Sequence, residues 1–134
     1  MQFKQIWANL PVEDTKRTEN FYTNLGFKRN TGETTPEITS FLFSDNNFVI
    51  HFFRRDKLEL SMNDKSIDPG NGSEIIFSIS AKSKDEVDDW ADNAEKAGGK
   101  IFRKASRHHD GYYYCVFADP DGHKFNALFI EGGM

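Results

Sequence analysis

The sequence states one pattern twice. From Gln2, and again from Glu74, it runs through an apolar strand, a short amphipathic helix ending at glycine, and then further strands. Such a repeat constrains the fold more than composition does, because each copy has to bury the same apolar faces against the same kind of partner.

In the first copy, Ile6 to Val12 reads as a strand, and Phe21, Tyr22 and Leu25 follow Thr18 at helical spacing before Gly26. In the second, Glu74 to Ile79 reads as the strand. Val87, Trp90, Ala91 and Ala94 then make an i, i+3, i+4, i+7 stripe before Gly98 and Gly99. Ser83 with Glu86 fits a capping box, whose hydroxyl and carboxylate satisfy free N–H groups of the first turn. Asp14 or Thr15 caps the earlier helix, and Gly26 and Gly98 are suited to the left-handed conformation that closes a helix.

Strand signals follow each helix. Ile38 to Phe43 and Phe48 to Phe53 flank Ser44-Asp45-Asn46-Asn47, which reads as a hairpin turn. Tyr112 to Ala118 and Lys124 to Ile130 repeat that arrangement around Asp119-Pro120-Asp121-Gly122-His123. Asn30 to Glu37 reads as a loop. The polar stretch Ser61 to Gly72 reads as a linker between a first module of about 1–60 and a second of about 73–134. The 134 residues suit a single domain, too short for two independent cores.

Charge narrows the class of partner. The net charge of −4 comes from interspersed acids and bases, so neither a nucleic-acid stripe nor a polybasic membrane patch is expected. The N-terminal residues lack a signal-peptide core, and no apolar run is long enough to span a bilayer; a cytoplasmic location is the expectation. The single cysteine, Cys115, has no partner for an internal disulfide and reads as a small buried hydrophobe.

These residues resemble the vicinal oxygen chelate superfamily, which includes glyoxalase I, bleomycin-resistance proteins and extradiol dioxygenases. The resemblance rests on Asn9-Leu10-Pro11-Val12-Glu13-Asp14, Phe21-Tyr22, Leu25-Gly26-Phe27, Glu86-Val87-Asp88, Ala97-Gly98-Gly99-Lys100 and Phe117-Ala118-Asp119-Pro120-Asp121-Gly122-His123. It covers nearly the whole chain. It implies an α+β fold of two tandem βαβββ modules whose mixed sheets curl around a cleft, commonly in a homodimer.

The resemblance also implies where a divalent ion would sit, on four side chains from the first and last strands of each module. By register with the Asn-Leu-Pro-Val motif these positions fall on Trp7, His51, Glu74 and Asn126. Indole nitrogen has no lone pair to give, and Asn126 offers only a neutral carbonyl oxygen. His51 and Glu74 are therefore the two candidate metal ligands, and Glu74 is also the candidate catalytic carboxylate. The pair His108 and His109 beside Asp110 reads as a solvated loop, since adjacent strand residues point to opposite faces.

The chain's 13 Phe, 4 Tyr and 2 Trp are more than two modest helices need as packing partners. Val49, His51 and Phe53 share one strand face, and Tyr112, Tyr114 and Val116 share another. With Trp7 and Asn126 these residues make the candidate ligand-binding set. Three readings follow. The first is a protein that binds a small aromatic or amphipathic molecule in a cleft with no cofactor. The second is a divalent-metal-dependent lyase or dioxygenase using His51 and Glu74. The third is a dimeric scaffold without ligand.

Overall fold

The computed structural model describes residues 1–45, 47–108 and 111–132. The chain divides into two compact units, Met1–Ile67 and Asp68–Met134, each with its own four-stranded mixed sheet.

The first unit comprises β1 (Ala8–Val12), α1 (Thr15–Asn24), β2 (Lys28–Arg29), β3 (Ile38–Phe43), β4 (Phe48–Arg54) and α2 (Arg55–Met62). The sheet order is β1-β4-β3-β2, with β1 parallel to β4 and the other pairs antiparallel. Pro11 is tolerated because β1 is an edge strand of this sheet, where a missing N–H breaks no ladder on its open side. Of the two candidate caps, Asp14 serves: its Oδ1 accepts from the Lys16 and Arg17 N–H groups at 2.9 and 3.2 Å. Gly26 follows the helix with φ 95°, which a side chain would oppose.

Alternation along the strands decides which face is buried. Phe41 lies opposite Ile50 and Thr39 opposite Phe52, and all four are buried under α1. Tyr22 descends from α1 into this layer, stacking on Phe52 at 4.7 Å and meeting Phe41 and Phe43 at 5.5 and 5.9 Å. Each such fully buried ring contributes roughly 1.5–3 kcal/mol. Ser40, Val49, His51 and Phe53 are left on the opposite face.

The stretch expected as a linker from Ser61 begins inside a helix. In α2 only Leu58 is buried, so the apolar period that would reveal a helix in the sequence is missing. Asn63 ends it in the left-handed conformation at φ 55°. Glu59 then accepts from the Ser66 N–H at 2.8 Å and holds the chain beyond the helix, which lowers the Glu59 pKa below the usual carboxylate range.

The second unit comprises a 3-10 turn (Pro69–Asn71), β5 (Ile76–Ser80), α3 (Lys84–Lys96), β6 (Lys100–Arg107), β7 (Tyr112–Ala118) and β8 (Lys124–Ile130). Its order, β5-β8-β7-β6 with β5 parallel to β8, repeats that of the first sheet. Ser83 caps α3 by accepting from the Glu86 N–H at 3.1 Å. The Glu86 carboxylate reaches one residue further back than the expected box, taking the Lys82 N–H. Trp90 stacks on Phe117 at 6.2 Å, and Cys115 is fully buried, which pushes its thiol pKa up and leaves it unreactive. Tyr113 reaches across to α3 and donates to Asp88 at 2.6 Å. On the edge strand β6, register shifts fall either side of Arg103.

The Asp119-to-His123 turn has a structural purpose. Asp119 is buried, and its Oδ1 accepts from the N–H groups of Asp121, Gly122 and His123 at 3.0, 3.0 and 2.9 Å. Gly122, at φ 108°, lies so close to the 3-10 turn that a Cβ would stand 2.8 Å from the Pro69 carbonyl. Lys124 ties the same two segments by donating to the Pro69 and Gly122 carbonyls at 3.0 and 2.9 Å.

Gly122→Ala should therefore cost about 2–3 kcal/mol, through both backbone strain and collision. A lowered urea midpoint at unchanged slope is the expected readout, and an unchanged midpoint would refute the close approach. Tyr113→Phe should cost about 1–2 kcal/mol at neutral pH. The hydrogen bond to Asp88, with burial, raises the Tyr113 pKa above its ordinary value of about 10. The wild-type advantage is thus full below about pH 10 and disappears as pH rises through the raised value.

Candidate functional site

The face of the first sheet turned away from α1 carries several of the candidate side chains. A cleft of about 770 Å³ lies there within the first unit, lined by Lys4, Trp7, Asn30, Phe48, Val49 and His51 among others. Trp7 precedes β1 and is half exposed. Its ring meets the His51 ring edge-on at 6.4 Å. Phe53 stands on the other side of His51, ring centres 6.0 Å apart. Trp7, Val49 and His51 thus line one cleft, and Phe53 supports the imidazole.

The orientation of His51 is fixed by a chain of hydrogen bonds. Asn30 Nδ2 donates to Ser40 Oγ at 3.1 Å, and Ser40 Oγ lies 2.8 Å from His51 Nδ1. A hydroxyl has a single proton. Ser40 Oγ has no further partner among the described residues, so His51 Nδ1 is the one acceptor its proton can reach; with that bond made, the imidazole carries its own proton on Nε2. Burial lowers the His51 pKa, so the ring is neutral at neutral pH. Neither Ser40 nor Asn30 was expected from composition. Hairpin arithmetic could have found Ser40, because a four-residue turn that pairs Phe43 with Phe48 also pairs Ser40 with His51.

In the second unit, Tyr112, Tyr114 and Asn126 share the sheet face turned away from α3, with Asn126 between Val116 and Ser78 in the ladders. The tyrosine rings lie 5.8 Å apart, and the Arg103 guanidinium sits over Tyr114 at 5.3 Å. His108, expected in a solvated loop, is half-buried and stacks on Tyr112 at 4.6 Å. His109 and Asp110 lie outside the described residues, as does Asn46 of the first hairpin turn. Asn126 Oδ1 is buried and has no hydrogen-bond partner among the described residues.

Glu74 needs a correction of place. The strand begins at Ile76, and Glu74 lies in an exposed bend before it. Asn9 pairs with His51 and Ser78 with Asn126, so the two parallel ladders are in the same register. Counting back seven residues from the helix caps Asp14 and Ser83 sets Trp7 against Ile76, and Glu74 against Gln5. Trp7 and Glu74 are not equivalent positions of the repeat.

This register bears on the divalent ion that the fold implies. The frame positions are Trp7, His51, Ile76 and Asn126, of which one is an imidazole, one an amide, and two have no lone pair to offer. Among the described residues, no group of three or more His, Cys, Asp or Glu side chains is placed to hold an ion. The donor set does not fit the metal.

The architecture defines an α+β protein of two βαβββ units with a cleft on the face of the first sheet turned away from α1. The profile of the Glyoxalase/Bleomycin resistance protein/Dioxygenase superfamily matches residues 4–127, and the chain belongs to that superfamily. It is similar in structure to a hypothetical protein from S. aureus, with 23% identity, coverage of 96% of this chain and 95% of that one, and a TM-score of 0.84. It is also similar to a glyoxalase-related enzyme from Fulvimarina pelagi, at 21% identity, 96% and 90% coverage and a TM-score of 0.83. A lactoylglutathione lyase from Agrobacterium tumefaciens is more distant, at 18% identity, 96% and 95% coverage and a TM-score of 0.65. These likenesses show a shared fold. No curated protein matches the sequence. No helix among the described residues is long and apolar enough to cross a membrane.

The geometry of His51 makes a spectroscopic prediction. Its imidazole should titrate below the ordinary value of about 6.5 and, above that pH, show the neutral form protonated at Nε2 in long-range nitrogen–proton correlation spectra. A ring protonated at Nδ1 would overturn the hydrogen-bond order.

Proposed function

We propose that this chain is a binding member of its superfamily, taking a small aromatic or amphipathic molecule in the cleft of the first unit without a metal ion and without turning it over. The observation that carries the reading is the pairing of Trp7 and His51 across one cleft, an apolar wall beside an oriented polar group. Small-molecule sites have this form: mostly apolar lining with a few placed hydrogen-bonding groups. A flat ligand would lie against the Trp7 face, where ring contacts contribute beyond area alone. The poor donor set supports a metal-free role, since a lone imidazole does not offset the dehydration of a divalent ion. A homodimer in the cytoplasm is part of the proposal; the exposed Ile75 and Ile76 supply apolar surface for self-association.

A thermal-shift screen of naphthalene and indole derivatives tests it. Ligands of the native state should raise the melting temperature, by an amount equivalent to about 2.7 kcal/mol at a hundredfold excess over Kd. Trp7→Ala should remove that shift and leave the unliganded melting temperature nearly unchanged, because the ring is half exposed. A shift that survives Trp7→Ala would move the ligand elsewhere and end the reading. The metal-dependent alternative requires the purified protein to retain a stoichiometric divalent ion that His51→Ala abolishes.

A further inference from the structure

We infer that the ligand of the first-unit cleft is a planar aromatic acid, its carboxylate held between the Nε2–H of His51 and the ammonium of Lys4. The inference rests on the proposed binding role and adds the sign of the ligand's charge. Two independent observations carry it, the direction of the hydrogen-bond chain and the charges that line the cleft.

The chain runs one way. Asn30 donates to Ser40, Ser40 to His51 Nδ1, and so the outer nitrogen of the ring is a donor. Nε2 has no hydrogen-bond partner among the described residues and is not a buried atom, so it stays accessible to an incoming group. What it can take is an acceptor. A carbonyl, ether or carboxylate oxygen satisfies it, and an amine or ammonium does not.

The lining charges choose among the acceptors. The chain has 21 Asp and Glu against 17 Lys and Arg, yet among the described residues no carboxylate lines this cleft. Among the described lining residues, Lys4 is the one charged side chain. A surface acidic overall but free of acids at one concavity repels anions from most of the protein while leaving that concavity favourable to them. A carboxylate accepts from both donors at once, and charge-assisted hydrogen bonds are roughly twice as strong as neutral ones. The ring of the same ligand is then left against Trp7 and Val49.

Three probes of one shape separate the outcomes: 2-naphthoate, its methyl ester, and 2-naphthylmethylammonium. Titrated into the full chain by calorimetry at low ionic strength, 2-naphthoate should bind about ten times more tightly than the ester, with the ammonium weakest. Lys4→Gln should weaken 2-naphthoate several-fold and leave the ester unchanged. Ser40→Ala, which frees the tautomer, should narrow the acid-to-ester ratio, with folding of each variant checked by its melting temperature. Equal binding of acid and ester, or tightest binding of the ammonium, would overturn the charge inference and leave the aromatic cleft standing. A preference for the acid that survives both variants would place the carboxylate elsewhere and likewise overturn it. If none of the three probes binds, the cleft reading falls with it.

Discussion

Tyr22 is the contact on which the first unit depends. Its ring is fully buried and meets Phe21, Phe27, Phe41, Phe43 and Phe52, so α1, the turn after it and strands β3 and β4 share one apolar centre. Committing Phe41, Ile50 and Phe52 to that centre leaves Ser40, Val49 and His51 no choice of face, because side chains alternate strictly along a strand. A slip of one residue in the β3–β4 ladder would exchange the two sets and bury an imidazole among aromatic rings. The cleft is thus a by-product of the core. Its polar groups are placed by residues that never touch it.

The second unit reuses this plan with different contents. Phe117 and Phe125 take the place of the first core's rings, and Asn126 takes the ladder position of His51. The repeat therefore preserves backbone register while its side chains on the faces turned away from α1 and α3 have diverged. One unit presents an imidazole held by Ser40; the other presents an amide oxygen with no partner among the described residues, together with a tyrosine pair under a guanidinium.

Much of this was legible in the sequence, for physical reasons that also explain the gaps. Both long helices announce themselves by apolar period and by caps, and both hairpins by turn residues between alternating strands. Val49, His51 and Phe53 could be put on one face because period two needs no knowledge of tertiary structure. The register of β5 was not legible. Glu74, Ile75 and Ile76 run polar to apolar without a break, and only pairing with Lys124 shows that the ladder starts at Ile76. Helix α2 escaped because only Leu58 is buried and polar ties hold its end. The role of Ser40 needed the cross-strand partner as well as the strand.

The outer strand β6 has a consequence of a different kind. It is an edge of its sheet, and a regular edge offers unpaired N–H and C=O groups to any other extended chain. Here the ladder is broken on either side of Arg103, and Lys100, Arg103, Lys104 and Arg107 load the strand with positive charge. Kinks deny an incoming strand a straight template, and cations resist the approach of another copy of the same edge. The outermost strand of the second sheet thus guards itself against edge-to-edge pairing.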